Sequence, residues 1–149
     1  MKKMILLMML MVGCSEPVEE KVKTFYLIDP NVIQYVLEFE RDINSIGLKM
    51  RNKNISFSVV LGRLPRNMAG MAIGMMNEYA VNIILDVDLW DSLTRAEKKA
   101  LVYHELSHDV FGLEHNTCDL MSGGLRAITD KMVEELLDTL TKQQNQLNI

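Results

Sequence analysis

An α+β domain is the fold this sequence predicts, and three observations predict it. Apolar residues recur at helical spacing between Val32 and Ile46, strand-like segments follow between Ile55 and Leu85, and a capped, largely apolar helix spans about Arg95 to Phe111. The chain of 149 residues suits one domain with a buried core. Its 48% hydrophobic and 24% charged residues match soluble globular proteins, which sets aside disordered and fibrous classes. Twelve methionines are unusual, and we read them as adaptable core filling.

Taken in order, the first element is not part of the domain. Lys2 and Lys3 precede an uncharged apolar run from Met4 to Val12, then Gly13 and Cys14, the order of a secretory signal. The run is far shorter than the roughly 20 residues that span a bilayer. It resembles a bacterial lipoprotein signal, although Met11 stands where such signals usually carry leucine. That resemblance implies cleavage before Cys14, lipid on Cys14, and a chain exported and anchored to a bacterial membrane on its periplasmic or cell-surface side. Residues 1–13 are then the signal peptide, 14–23 a polar tether, and 24–149 the folded domain.

Asp29 and Pro30 are suited to cap and begin a helix. Val32, Ile33, Val36, Phe39, Ile43 and Ile46 would form its apolar stripe, ending near Gly47. In Ile55 to Leu61 the apolar Ile55, Phe57 and Val59 alternate with Ser56 and Ser58, as in a half-buried strand that Pro65 ends. Met68 to Met76 reads as a second strand, with Gly70 and Gly74 marking close approach by a backbone or ligand. Tyr79 to Leu85 is a third, rich in β-branched residues.

Thr94 and Glu97 then form a Thr-x-x-Glu capping box, and Gly112 supplies the left-handed stop of the helix they begin. A last helix starts at Thr129 or Asp130, with Met132, Val133, Leu136, Leu137 and Leu140 as its apolar side.

The chemistry lies in the buried half of the capped helix. His104, Glu105 and His108 form His-Glu-x-x-His, and four residues turn a helix by about 400°, so both imidazoles project from one face, about 6 Å apart. They can share one tetrahedral Zn²⁺. Glu105 lies about 100° around the axis, where it can act as general base without displacing a ligand. His115 is the remaining histidine. On a continued helix it would lie about 10 Å beyond His108, too far for the same metal, so the chain must turn back at Gly112.

HELSHDVFGLEH resembles the metzincin signature His-Glu-x-x-His-x-x-Gly-x-x-His, and IILDVDLWDS, with Asp86 and Trp90, resembles the strand and loop ahead of the active helix in matrixin-type peptidases. Three residues rather than two separate His108 from Gly112, a spacing similar to that of small metallopeptidases of bacteria and phages. The resemblance covers about Met68 to Gly124. It implies a zincin-like fold: a small mixed sheet on an N-terminal helix and a buried active-site helix, then a methionine turn and a C-terminal helix. It also implies that Met121 floors the metal site and that Met68 to Met76 is the edge strand that pairs with an extended peptide.

The expected activity is zinc-dependent hydrolysis of peptide or protein substrates by a monomeric protein. Two alternatives stay open. Glu134 or Glu135 of the last helix would be the third ligand in a thermolysin-like arrangement, and a zinc-stabilised binding lipoprotein would hold metal without turnover. Cys118 is either a zinc ligand, as an inhibitory fourth one or in place of His115, or a small buried hydrophobe. Nucleic acid is not an expected partner: acidic residues outnumber basic ones 20 to 16, and no lysine or arginine cluster stands out.

Overall fold

The computed structural model describes residues 26–50, 56–73, 80–122, 124 and 126–147. The expected signal peptide, Cys14 and the expected tether lie outside these residues.

The chain runs β1 (Tyr26–Ile28), α1 (Ile33–Ser45), β2 (Ser56–Gly62), β3 (Gly70–Ala72), β4 (Ala80–Asp86), α2 (Val87–Trp90), α3 (Arg95–Phe111), a 3₁₀ turn (Asp119–Met121) and α4 (Asp130–Leu147). This is the α+β arrangement that the sequence predicts, and it is consistent with a zincin-like fold. The sheet has the order β1-β2-β4-β3. β1, β2 and β4 are parallel, whereas β3 runs antiparallel to β4 along one edge.

Alternation along the central strands sets which face is covered. Phe57 and Val59 of β2 and Val81, Ile83 and Leu85 of β4 are buried, while the residues between them are partly exposed. That face forms one apolar cluster with Val36, Phe39 and Ile43 of α1 and Tyr103 and Leu106 of α3. Phe39 meets Tyr103 edge to face at 5.0 Å, a favoured aromatic geometry. Tyr103 also donates its hydroxyl to Asp42 at 2.7 Å, tying α3 to α1, and burial raises its pKa.

Several boundaries differ from the expectations, each for a local reason. Helix α1 begins at Ile33 rather than Pro30: the Asp29 carboxylate accepts from the Asn31 N–H at 2.8 Å, and the Asp29 carbonyl accepts from both Val32 and Ile33. Asp29 therefore fastens a turn that leads into the helix. Ile33 is exposed, and Tyr35 is buried instead, its ring edge-on to Trp90 at 5.7 Å. The described part of the Met68 to Met76 segment is strand only over Gly70–Ala72. Helix α2 is a single turn that the sequence did not suggest, capped by the Asp86 carboxylate, which accepts from Leu89 N at 2.8 Å and from Leu64 N at 2.9 Å. These two bonds hold the Asp86 carboxyl below its usual pKa. Asp86 and Trp90 thus act in the framework and not at the site.

Candidate metal centre and cleft

Helix α3 positions the site, and its start is built as the sequence indicates. Thr94 Oγ1 accepts from Glu97 N, and the Glu97 carboxylate accepts from Thr94 N at 2.8 Å. The helix ends at Gly112, whose φ of 66° lies in the left-handed region that glycine enters without strain. Its N–H donates to the His108 carbonyl at 2.9 Å, and Leu113 N donates to the Ser107 carbonyl at 3.1 Å. The chain therefore reverses within one residue of the helix. A further turn at Asn116, with φ 64°, and a bond from Asn116 N to the Met121 carbonyl close the loop that carries His115.

This reversal brings the three histidines together. Nε2 of His108 lies 3.0 Å from Nε2 of His104 and 3.2 Å from Nε2 of His115. Among the described residues they form a group whose ligand atoms all lie within 4.8 Å of one another. Two nitrogens bound to one tetrahedral Zn²⁺ at about 2.0–2.1 Å stand about 3.3–3.4 Å apart, close to both separations.

The outer nitrogens decide what the inner ones can do. His104 Nδ1 is 3.0 Å from the Leu120 carbonyl, and His108 Nδ1 faces the Leu113 carbonyl. A carbonyl only accepts, so each Nδ1 carries hydrogen and each Nε2 of the neutral ring presents a lone pair. Burial lowers the pKa of both rings, and the neighbouring histidines lower it further, against the opposing pull of the carbonyls. Converging lone pairs repel unless something positive sits among them. One cation satisfies all three, whereas a proton satisfies one pair. The donor set therefore fits a divalent metal such as zinc, with the carbonyls fixing ring orientation.

Glu105 lies beside this group and is almost fully buried. Burial pushes its pKa up to about 7; the nearby Asp109 carboxylate adds to the rise, and a hydrogen bond from the Ala72 backbone N–H opposes it. The edge strand fits closely over it. A Cβ built on Gly70 would lie 2.5 to 2.7 Å from the Glu105 carboxylate and its Cγ, so only glycine leaves room for this side chain. The close approach expected from Gly70 is therefore to the side chain of the active helix.

The other candidates separate cleanly. Met121 is fully buried in the 3₁₀ turn, directly after the Leu120 carbonyl that orients His104. Cys118 is buried, free and outside the histidine group, with a thiol pKa raised by burial. Glu134 and Glu135 are exposed on α4 and also outside that group; Glu135 accepts from Asp119 N at 3.3 Å. Asp109 was not legible as part of the site. It is completely buried, and its Oδ2 accepts from Asn82 N of β4 at 3.0 Å, so it ties the active helix to the sheet one residue after His108. Its only sequence signal is an acidic residue in an otherwise buried helical half.

Beside the centre lies a cleft of about 400 Å³ that His104, Glu105 and His115 help to line, bounded by Gly70 on one side and Met132 of α4 on the other. Searches of curated proteins and of solved structures return no significant match. The family model described as Putative phage metallopeptidase matches residues 17–117, more than half of the chain, beginning ahead of Thr24 and ending before Met121; the chain belongs to that family.

Proposed function

We propose that this protein is a zinc-dependent peptidase that hydrolyses peptide bonds with His104, His108 and His115 as metal ligands and Glu105 as general base. The observation that carries the reading is the convergence of three Nε2 atoms, two of them on rings whose Nδ1 atoms are engaged by backbone carbonyls, beside a buried carboxylate. A zinc ion held there supplies Lewis acidity and lowers the pKa of water towards 7. Glu105 takes the proton of the attacking water and returns it to the departing amine, the two transfers that one carboxylate beside the metal can make in turn. The Leu120 and Leu113 carbonyls keep the imidazoles in one tautomer and one orientation. Gly70 and the Ala72 N–H hold the Glu105 carboxylate in place.

Substrate binds as an extended peptide in this proposal. β3 is an edge strand, and the bonds Ile73 N to Asn82 O and Asp86 N to Ala69 O fix which of its groups point into the sheet. The backbone groups of Gly70 and the Ala72 carbonyl then face outward, where an added strand would pair, while the Ala72 N–H is engaged by Glu105. At the other end, Cys14 carries lipid and attaches the domain to a bacterial membrane after export. The family match begins downstream of Cys14, at residue 17, which leaves residues 1–16 outside it.

Glu105→Gln tests the catalytic reading because the amide keeps the shape of the carboxylate but cannot accept a proton at neutral pH. Hydrolysis of a diverse peptide library should fall by about 100-fold or more with zinc content unchanged. A zinc-stabilised binding protein would show no hydrolysis in either form, and that outcome would remove the peptidase reading while leaving the metal site.

A further inference from the structure

The cleft beside the histidine centre has a chemical character of its own. Ala100 and Leu101 of α3, one turn ahead of His104, line it with Met68, Leu120 and Met132, and the uncharged polar residues Asn67 and Ser122 also contribute. Among the described residues, one charged side chain lines it besides the histidine and glutamate centre, and that is Arg126. Arg126 contacts Asp119 at 3.4 Å and Ser122 Oγ at 3.0 Å. Asp119 lies on a different concavity, with Cys118 and Glu135, and does not line the cleft. The pair is about half exposed on both sides, a setting in which ion pairs contribute little.

A guanidinium carries five N–H donors, and among the described residues these two contacts engage two of them. A cleft lined largely by apolar side chains and by one cation suits a ligand that buries methylene groups and ends in an anion. Arginine meets a carboxylate with two parallel hydrogen bonds, a planar match that an amide does not reproduce.

We propose that Arg126 is a specificity-determining residue that selects substrates carrying a carboxylate next to the scissile bond. The inference rests on the peptidase reading for the position of that bond. Two sources supply the same chemistry: an aspartate or glutamate side chain, or the free C-terminus of a short peptide.

Binding rather than turnover tests it, so that its outcome is separable from the peptidase reading. Full-length protein carrying Glu105→Gln and loaded with zinc is immobilised and exposed to paired peptide libraries, and retained peptides are quantified by mass spectrometry. One pair differs in Glu against Gln and the other in a free against an amidated C-terminus. The acid should be enriched about tenfold or more in one pair, the scale of one charge-assisted contact, and which pair responds identifies the source. Adding Arg126→Gln should collapse the enrichment, and Arg126→Lys should keep part of it. Equal retention of acid and amide in both pairs, or enrichment that Arg126→Gln leaves intact, overturns the proposal. Absence of hydrolysis by the wild type counts against the peptidase reading alone.

Discussion

From Thr94 to Lys99, helix α3 is polar, partly exposed and reciprocally capped, whereas from Glu105 to Asp109 the same helix buries Glu105, Ser107, His108 and Asp109. Among the described residues these four are the whole set of buried polar or charged side chains, and they fall within the five positions from 105 to 109. The first stretch satisfies free backbone groups and stabilises the helix. The second places ionisable groups where water solvates them poorly, which is unfavourable for the metal-free fold. One helix thus joins a stabilising start to a reactive end, with the reactive groups held by partners outside it: Leu113 and Leu120 for the rings, Gly70 and Ala72 for Glu105, and Asn82 for Asp109.

The strongest way to break this comparison is to disturb the reactive end without touching it. Gly70→Ala adds a methyl group where the Glu105 carboxylate now lies, so the carboxylate must shift. A displacement of about 1 Å in a catalytic group can lower the rate by roughly 100-fold, and we expect a fall of that order with zinc content retained. Steady-state hydrolysis and metal analysis on the same preparation check it; full activity would mean that the seat of Glu105 does not matter.

Stability should then respond with opposite signs at the two ends. The pKa of Glu105 is raised in the fold, from 4.5 to about 7, so the folded state holds its proton more tightly than the unfolded state. Its unfavourable contribution is absent below about pH 4.5, grows as pH rises towards 7, and is complete above that. In metal-free protein, Glu105→Gln should therefore be more stable than wild type at pH 8 by on the order of 2–3 kcal/mol, and about equal to it at pH 4. Thr94→Ala should destabilise by about 1 kcal/mol, the usual contribution of an N-cap. Urea unfolding at both pH values measures both effects. A loss of stability at pH 8 in metal-free Glu105→Gln would show that the carboxylate supports the fold.

How much of this could be read from the sequence follows the range of the interactions. The capping box, the helix from Arg95 to Phe111, the reversal at Gly112 and the return of His115 rest on residues a few positions apart, and the structure has each where spacing puts it. The alternation of Phe57 and Val59 likewise showed which face of β2 is buried. Gly70 was visible as a close approach, but not that Glu105, 35 positions later, is what approaches it. Asp109 escaped because its partner, Asn82 N, is a backbone group on another element. Helix α2 escaped because one turn of four residues leaves no periodicity to detect. Arg126 looked like any loop arginine until the fold set it against the cleft.

The most direct measurement is the metal content of the purified full-length protein and its single-residue variants, read by elemental analysis after dialysis. The account predicts about one equivalent of zinc in the wild type, its loss in His104→Ala, His108→Ala and His115→Ala, and its retention in Glu134→Ala and Glu135→Ala. Zinc that survives in His115→Ala but disappears from a glutamate variant would contradict the three-histidine centre, and so would a wild type that takes up no metal.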